Sequence, residues 1–216
     1  FFGRVNYDYD GRILTAFSLR ADGSTKFAEG RQWGYFPSGS VAWRVSNEKF
    51  FSGLRNTIND LKFRVSYGEA GNNRIGDFLF LTQFNSGTQY WLNNQLVGGF
   101  APEALANENL KWETTISRNI GLDLGFLSNR LQLSVDLYQN TTRDLLVDVP
   151  IPTTSGWVTQ IQNVGSTENR GIELQLNADV INRRNFSWTI NFNASSNRNR
   201  VTSLGTFQNF YLRNSG

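Results

Sequence analysis

Residues 116–138 read ISRNIGLDLGFLSNRLQLSVDLY, and their pattern decides the fold. Ile116, Ile120, Leu122, Leu124 and Phe126 alternate with Ser117, Asn119, Gly121, Asp123 and Gly125. After the short polar break Leu127 to Arg130, Leu131, Leu133, Val135 and Leu137 alternate with Gln132, Ser134, Asp136 and Tyr138. A period of two is the side-chain repeat of a β-strand, and two such runs joined by a short turn predict a hairpin with one apolar and one polar face.

The same alternation extends in both directions. Upstream it groups Val5, Tyr7 and Tyr9; then Ile13, Thr15, Phe17 and Leu19; then Trp33, Tyr35, Val41, Trp43 and Val45; then Leu61, Phe63, Val65 and Tyr67. Downstream it groups Ile172, Leu174, Leu176, Ala178 and Val180, and then Phe186, Trp188, Ile190, Phe192 and Ala194. This predicts about eight long strands, each near the ~9–11 residues that cross a bilayer at a tilt. The residues between them are mostly polar or small, a poor filling for a packed core. A helical turn is expected within 47–59, where SNEKFFSGL offers a serine or asparagine cap.

Connections alternate in length. Asp10-Gly11, 47–59, 127–130 and 181–185 are short; 22–32, 71–110, 140–170 and the residues after about 199 are long. Short periplasmic turns and long extracellular loops are the habit of transmembrane barrels, provided 71–110 holds an even number of crossings. Trp33 and Tyr35 at one end of their strand and Trp43 at the other, with Trp188 near a short turn, fit aromatic girdles on the lipid side. Eight to ten residues at ~3.4 Å rise and ~40° tilt span roughly 20–26 Å, close to the ~25 Å apolar band. Arg118 breaks the apolar face near the long-loop end, where outer-leaflet phosphates could receive it. Asp123, Asp136, Glu173, Asp179 and Asn191 are expected to line the lumen. A soluble β-sandwich also has one apolar face per sheet, and alternation alone leaves it open.

Composition narrows the chemistry. The chain has 216 residues, no cysteine, no histidine, no methionine and a net charge of +3. Histidine-dependent triads, thiol proteases and histidine-ligated zinc sites are therefore excluded within it. No run approaches ~18 apolar residues, so no transmembrane helix is expected; a barrel needs none. Basic residues are scattered, which argues against a nucleic-acid surface. No catalytic constellation, metal set or cofactor-binding loop is found: Asp144 with Asp148 reads as a pair of solvated loop charges, and DGS at 22–24 lacks the ligand series of a calcium loop. Tyr90, Trp91 and Trp157 are the aromatic candidates for ligand contact in the long loops. The competing reading is that they pack the loops against each other or against a covering partner.

Several ordered strings resemble one family. FGRVNYDYDGRILTAFSLRADGSTKF at 2–27, RQWGYFPSGSVAWRVSNEKFF at 31–51, LKFRVSYGEAGNNRIGDF at 61–78, NENLKWETTISRNIGLDLGFLSNRLQLSVDLYQNTTRDLL at 107–146 and IQNVGSTENRGIELQLNADVI at 161–181 are similar to the SusC/RagA family of TonB-dependent outer-membrane transporters. Glu108 stands where that family usually has proline. The resemblance implies an all-β, antiparallel transmembrane barrel of about 22 strands, to which residues 1–216 would contribute roughly 8–10 strands, with plug domain, TonB box and terminal strand lying outside the sequence. It also implies import of oligosaccharides or peptides, a SusD-like surface lipoprotein as lid, energy from the TonB complex and an outer membrane of lipid and lipopolysaccharide around the wall. Rivals are a small closed barrel serving as adhesin or anchor, a barrel enzyme with groups on other segments, and a soluble carbohydrate-binding sandwich.

Overall fold

The computed structural model describes residues 1–205. Eight strands hydrogen-bond in one antiparallel sheet: β1 (Phe2–Tyr9), β2 (Ile13–Gly23), β3 (Trp33–Arg44), β4 (Ile58–Asn72), β7 (Glu113–Phe126), β8 (Leu131–Arg143), β11 (Ser166–Arg183) and β12 (Phe186–Ser203). They lie side by side in chain order. The remaining four form two separate hairpins, β5 (Phe84–Leu92) with β6 (Gln95–Pro102), and β9 (Leu146–Pro150) with β10 (Thr159–Asn163). The 73–112 connection therefore makes no crossing of the main sheet, and the even-crossing condition holds. Among the described residues the only other sheets are these two-stranded hairpins, too small to form the second layer of a sandwich. β1 and β12 occupy opposite edges of the sheet and do not pair, so the described residues are not a small closed barrel.

Register fixes the two faces. In antiparallel pairs, residues directly opposite one another project from the same side. Leu61, Leu124, Leu133, Leu176 and Phe192 follow one rung across five strands. The rung beside it carries Lys62, Asp123, Ser134, Gln175 and Asn193 on the other side. A one-residue slip in any strand would exchange its faces, so alternation over strands of 8–18 residues pins each pairing. The result is a wall with an apolar face that stays largely exposed: Phe17, Val65, Ile120 and Phe192 are all exposed.

Short connections gather at one end. Asp10 (φ 54°) and Gly11 (φ 60°) turn β1 into β2, and the Gly11 amide donates to Asp8 Oδ1 at 2.7 Å. Leu127, Ser128 and Asn129 all have positive φ (53°, 58° and 62°) in the β7–β8 turn, a left-handed path that is costly for side-chain-bearing residues.

Three local expectations need correction. Val45 does not extend the apolar face of β3. The strand ends at Arg44, and Val45 is buried at the start of a 3-10 turn, Val45–Asn47, followed by a second, Lys49–Leu54. Neither turn has a side-chain cap: Ser46 Oγ donates to Asp60 Oδ1 at 3.0 Å, and Asn47 Nδ2 donates to the Gly11 carbonyl at 2.8 Å. These polar groups tie this segment to the start of β4 and to the β1–β2 turn instead of opening a helix. Val180, placed by alternation with Ala178, instead falls in a β-bulge: Asp179 pairs with Thr189 and Ile181 with Trp188, leaving Val180 unpaired. The Arg130 guanidinium fills the gap by donating to the carbonyls of Asp179 (3.0 Å) and Val180 (2.8 Å).

Candidate functional site

The polar face carries a charged cluster built across three strands. Arg64 on β4 donates to both carboxylate oxygens of Asp123 on β7, each at 2.9 Å, and to Asp136 Oδ2 on β8 at 3.0 Å. Lys62 Nζ lies 2.9 Å from Asp123, and Ser134 Oγ donates to it at 3.0 Å. The fork of a guanidinium suits this bridging. Gly121 makes room for it: a Cβ there would lie 2.7 Å from Arg64 Cζ.

The structure thus joins Asp123 and Asp136, two of the residues expected on this face, through one shared arginine. Glu173 sits opposite Asp136 across the β8–β11 pair and is exposed. It lines a groove of about 330 Å³ with Ser134, Gln175 and Asn193. Asp179 accepts from Thr189 Oγ1 at 3.0 Å, and Asn191 stands opposite Asn177. All five share the polar face, spread along it without forming one compact centre. Among the described residues no group of three or more acidic, histidine or cysteine side chains could hold a metal.

At the long-loop end the connections tie to one another. Gln160 Nε2 donates to the Ala106 carbonyl at 2.7 Å, Asn107 Nδ2 to the Ile161 carbonyl at 2.8 Å, and Asn163 Nδ2 to the Lys111 carbonyl at 2.8 Å. Beneath them is a small aromatic core that alternation did not reveal. Phe27 is fully buried, its ring 5.4 Å from Trp112; Phe36 packs edge-on to Trp112 at 5.6 Å. Trp112 Nε1 donates to the Gln32 carbonyl at 3.1 Å. Phe36 has the parity of the polar face and lies flat across Gly71, where a Cβ would fall 2.0 Å from its ring.

Tyr90 and Trp91 lie on β5, and both are exposed. As adjacent strand residues they point to opposite sides of their hairpin, so they do not make one stacking platform. Tyr90 rests against Gly99, whereas Trp91 is 72% exposed. Trp157 is half-buried in the β9–β10 loop.

The aromatic candidates on the apolar face sit near its two ends. Trp33 stacks on Phe1 at 5.9 Å and Trp43 on Phe63 at 6.5 Å; Tyr35 is exposed, and Trp188 stands opposite Ile181. At the short-turn end, Trp43 Nε1 also donates to Glu48 Oε1 at 3.0 Å, and Arg12 pairs with the same carboxylate. The hydrogen bonds from Arg12, then Trp43, hold the Glu48 carboxyl below its ordinary value of 4.5. A depressed pKa in the folded state means that this contact stabilises above the ordinary value and is lost as pH falls through the folded one. The tryptophan emission difference between wild type and Glu48→Gln should be constant at neutral pH and disappear on acidification below the usual carboxylate range. A difference unchanged down to strong acid would rule out the contact.

The family profile described as "TonB dependent receptor-like, beta-barrel" matches residues 1–215. The chain is 44% identical to TonB-dependent receptor P39 of Formosa agariphila over 209 residues, 97% of this chain and 20% of that protein. It is 38% identical to TonB-dependent receptor SusC of Bacteroides thetaiotaomicron, covering 98% of this chain and 22% of that one. Among solved structures it overlays the RagAB peptide importer in its open-open state with a TM-score of 0.88 and 32% identity, over 100% of this chain and 23% of that one. The chain spans about a fifth of the length of these curated relatives. A wall with one exposed apolar face, strands of membrane-crossing length and similarity along its whole length place the chain in the TonB-dependent receptor β-barrel family, as a segment of the outer-membrane barrel of the SusC/RagA type.

Proposed function

We propose that this chain forms part of the wall of an active importer in the outer membrane, taking up oligosaccharides or peptides. The apolar face, with Trp33, Tyr35, Trp43 and Trp188 near its margins, meets lipid. The polar face, with Asp123, Asp136, Glu173, Asp179 and Asn191, meets the lumen. The short turns face the periplasm and the long loops the outside. A SusD-like lipoprotein closes over the loops, and TonB supplies energy. The wall is a scaffold: Arg64 stiffens the lumenal face, and movement belongs to other parts of the receptor. Trp91 contacts cargo or lid; Tyr90 supports its hairpin and Trp157 its loop.

The observation that supports this most is the overlay of the whole chain on the barrel of the RagAB peptide importer, with a TM-score of 0.88. Deleting the gene from its host and measuring uptake of labelled oligosaccharides and peptides tests it. Uptake of one class should fall to background, and should also stop when the proton-motive force is collapsed. Uptake of both classes at the wild-type rate in the deletion strain would refute the reading.

A further inference from the structure

One strip of the apolar face is ill suited to hydrocarbon. Tyr67, Arg118, Gln139, Arg170 and Arg198 stand opposite one another on a single rung across β4, β7, β8, β11 and β12. The rung lies two residues beyond Val65, Ile120, Leu137, Ile172 and Ser196 and so projects from the same side. The three arginines are exposed, and none forms an ion pair among the described residues. Arg170 is directly opposite Arg198, an unfavourable like-charge pair in a sheet. The carboxylates one rung further are engaged elsewhere. Glu168 is held by Arg200 at 2.9 Å and Gln139 at 2.6 Å, and Glu69 accepts from the Tyr67 hydroxyl. Arg118 rests over the Tyr67 ring, 5.9 Å from its centroid.

Below the rung is an open groove of about 770 Å³, with the arginines along its long-loop edge and Ile120 and Leu137 in its floor. Guanidinium forks match phosphate oxygens two at a time, and the apolar floor matches acyl chains. Phe126 marks the short-turn end of the apolar run on β7. Arg118 lies roughly 20 Å from it along a tilted strand, at the level of headgroups.

We infer that this rung and groove seat the phosphate-bearing glycolipid of the outer leaflet, the lipid portion of lipopolysaccharide. Its phosphates meet Arg118, Arg170 and Arg198, and its acyl chains lie along Ile120 and Leu137. The inference rests on the lipid-facing assignment of the apolar face. The bound anion would relieve the Arg170–Arg198 repulsion, so the lipid would clamp β11 to β12 from outside the barrel.

The test is native mass spectrometry of the gene's complete product, extracted from outer membranes into detergent. It is titrated with lipid A, with the same lipid stripped of phosphate, and with inorganic phosphate. Lipid A should bind the wild type. Arg118→Gln, Arg170→Gln and Arg198→Gln should each weaken it roughly tenfold, and dephosphorylated lipid should bind the wild type no better than it binds the triple variant. Arg4→Gln, on the polar face, should change nothing. Arg170→Gln removes one of two facing like charges, so its folding is not at risk if the triple variant assembles poorly. Equal binding of lipid A to wild type and Arg170→Gln, equal binding of the two lipids, or displacement of lipid A by equimolar inorganic phosphate would overturn the inference. Failure of the wild type to reach the outer membrane would instead overturn the lipid-facing reading beneath it.

Discussion

Arginine in place of Leu176 should lower the stability of the assembled barrel by about 2–4 kcal/mol, the cost of a cation near the middle of a wall whose apolar face meets lipid as proposed. Leu176 stands between Leu133 and Phe192 on its rung, with further apolar residues toward both ends of the strand, so the long side chain has far to reach for a headgroup. Aspartate at Leu133 or Leu176 should act in the same direction with a smaller penalty. The neighbouring Asn177, on the opposite face, should accept arginine at little cost, because water reaches it there. The comparison is made by urea titration of the reconstituted protein, following the heat-sensitive gel shift of folded barrels. If Leu176→Arg and Asn177→Arg unfold at the same urea concentration, the assignment of faces is wrong.

The second large effect is expected in the loops. Phe27 is fully buried and contacts Trp112, so Phe27→Ala should cost about 3–5 kcal/mol locally. The loss should not spread through the wall, because Phe27 and Trp112 lie in the connections and the core touches the sheet only at the long-loop ends of β3 and β4. Hydrogen exchange should show loss of protection across 24–32 and 105–112, with β7 and β8 unchanged. Gly71→Val should reproduce this from the other side, since its side chain would occupy the place of the Phe36 ring. Unchanged loop protection in both variants would mean that the long connections are held by their polar ties alone.

The wall was legible in the sequence and the loops were not, for a physical reason. A strand with one apolar face repeats its signal every second residue. Leu131 to Leu137 and Ile172 to Ala178 therefore announce both their structure and their sidedness. The loop core has no period. Phe27 sits in a turn, Trp112 just before β7, and Phe36 at a position whose parity reads as polar. What could have exposed it is the pair of glycines, Gly34 and Gly71, whose missing side chains leave space for that ring. Val45 and Val180 were misplaced because alternation carries no information about where a strand ends or bulges. Asp123, Asp136, Glu173, Asp179 and Asn191 share the polar face of the sheet, as alternation groups them, but the bridging role of Arg64 depends on register across three strands, which no single segment encodes. Tyr90 and Trp91, adjacent in sequence, are separated by the pleat.

The long excursion between β4 and β7 leaves and returns at neighbouring points, since Asn72 is paired directly with Glu113. The hairpin β9–β10 likewise departs after Arg143 and rejoins at Ser166, its direct partner. Lengthening or replacing either excursion leaves every wall pairing intact, and closing a longer loop costs only ~0.6 kcal/mol per doubling of its length. Evolution is therefore free to exchange these segments wholesale while the wall is inherited unaltered, so that gene duplication followed by loop divergence would yield many differently topped barrels from one chassis.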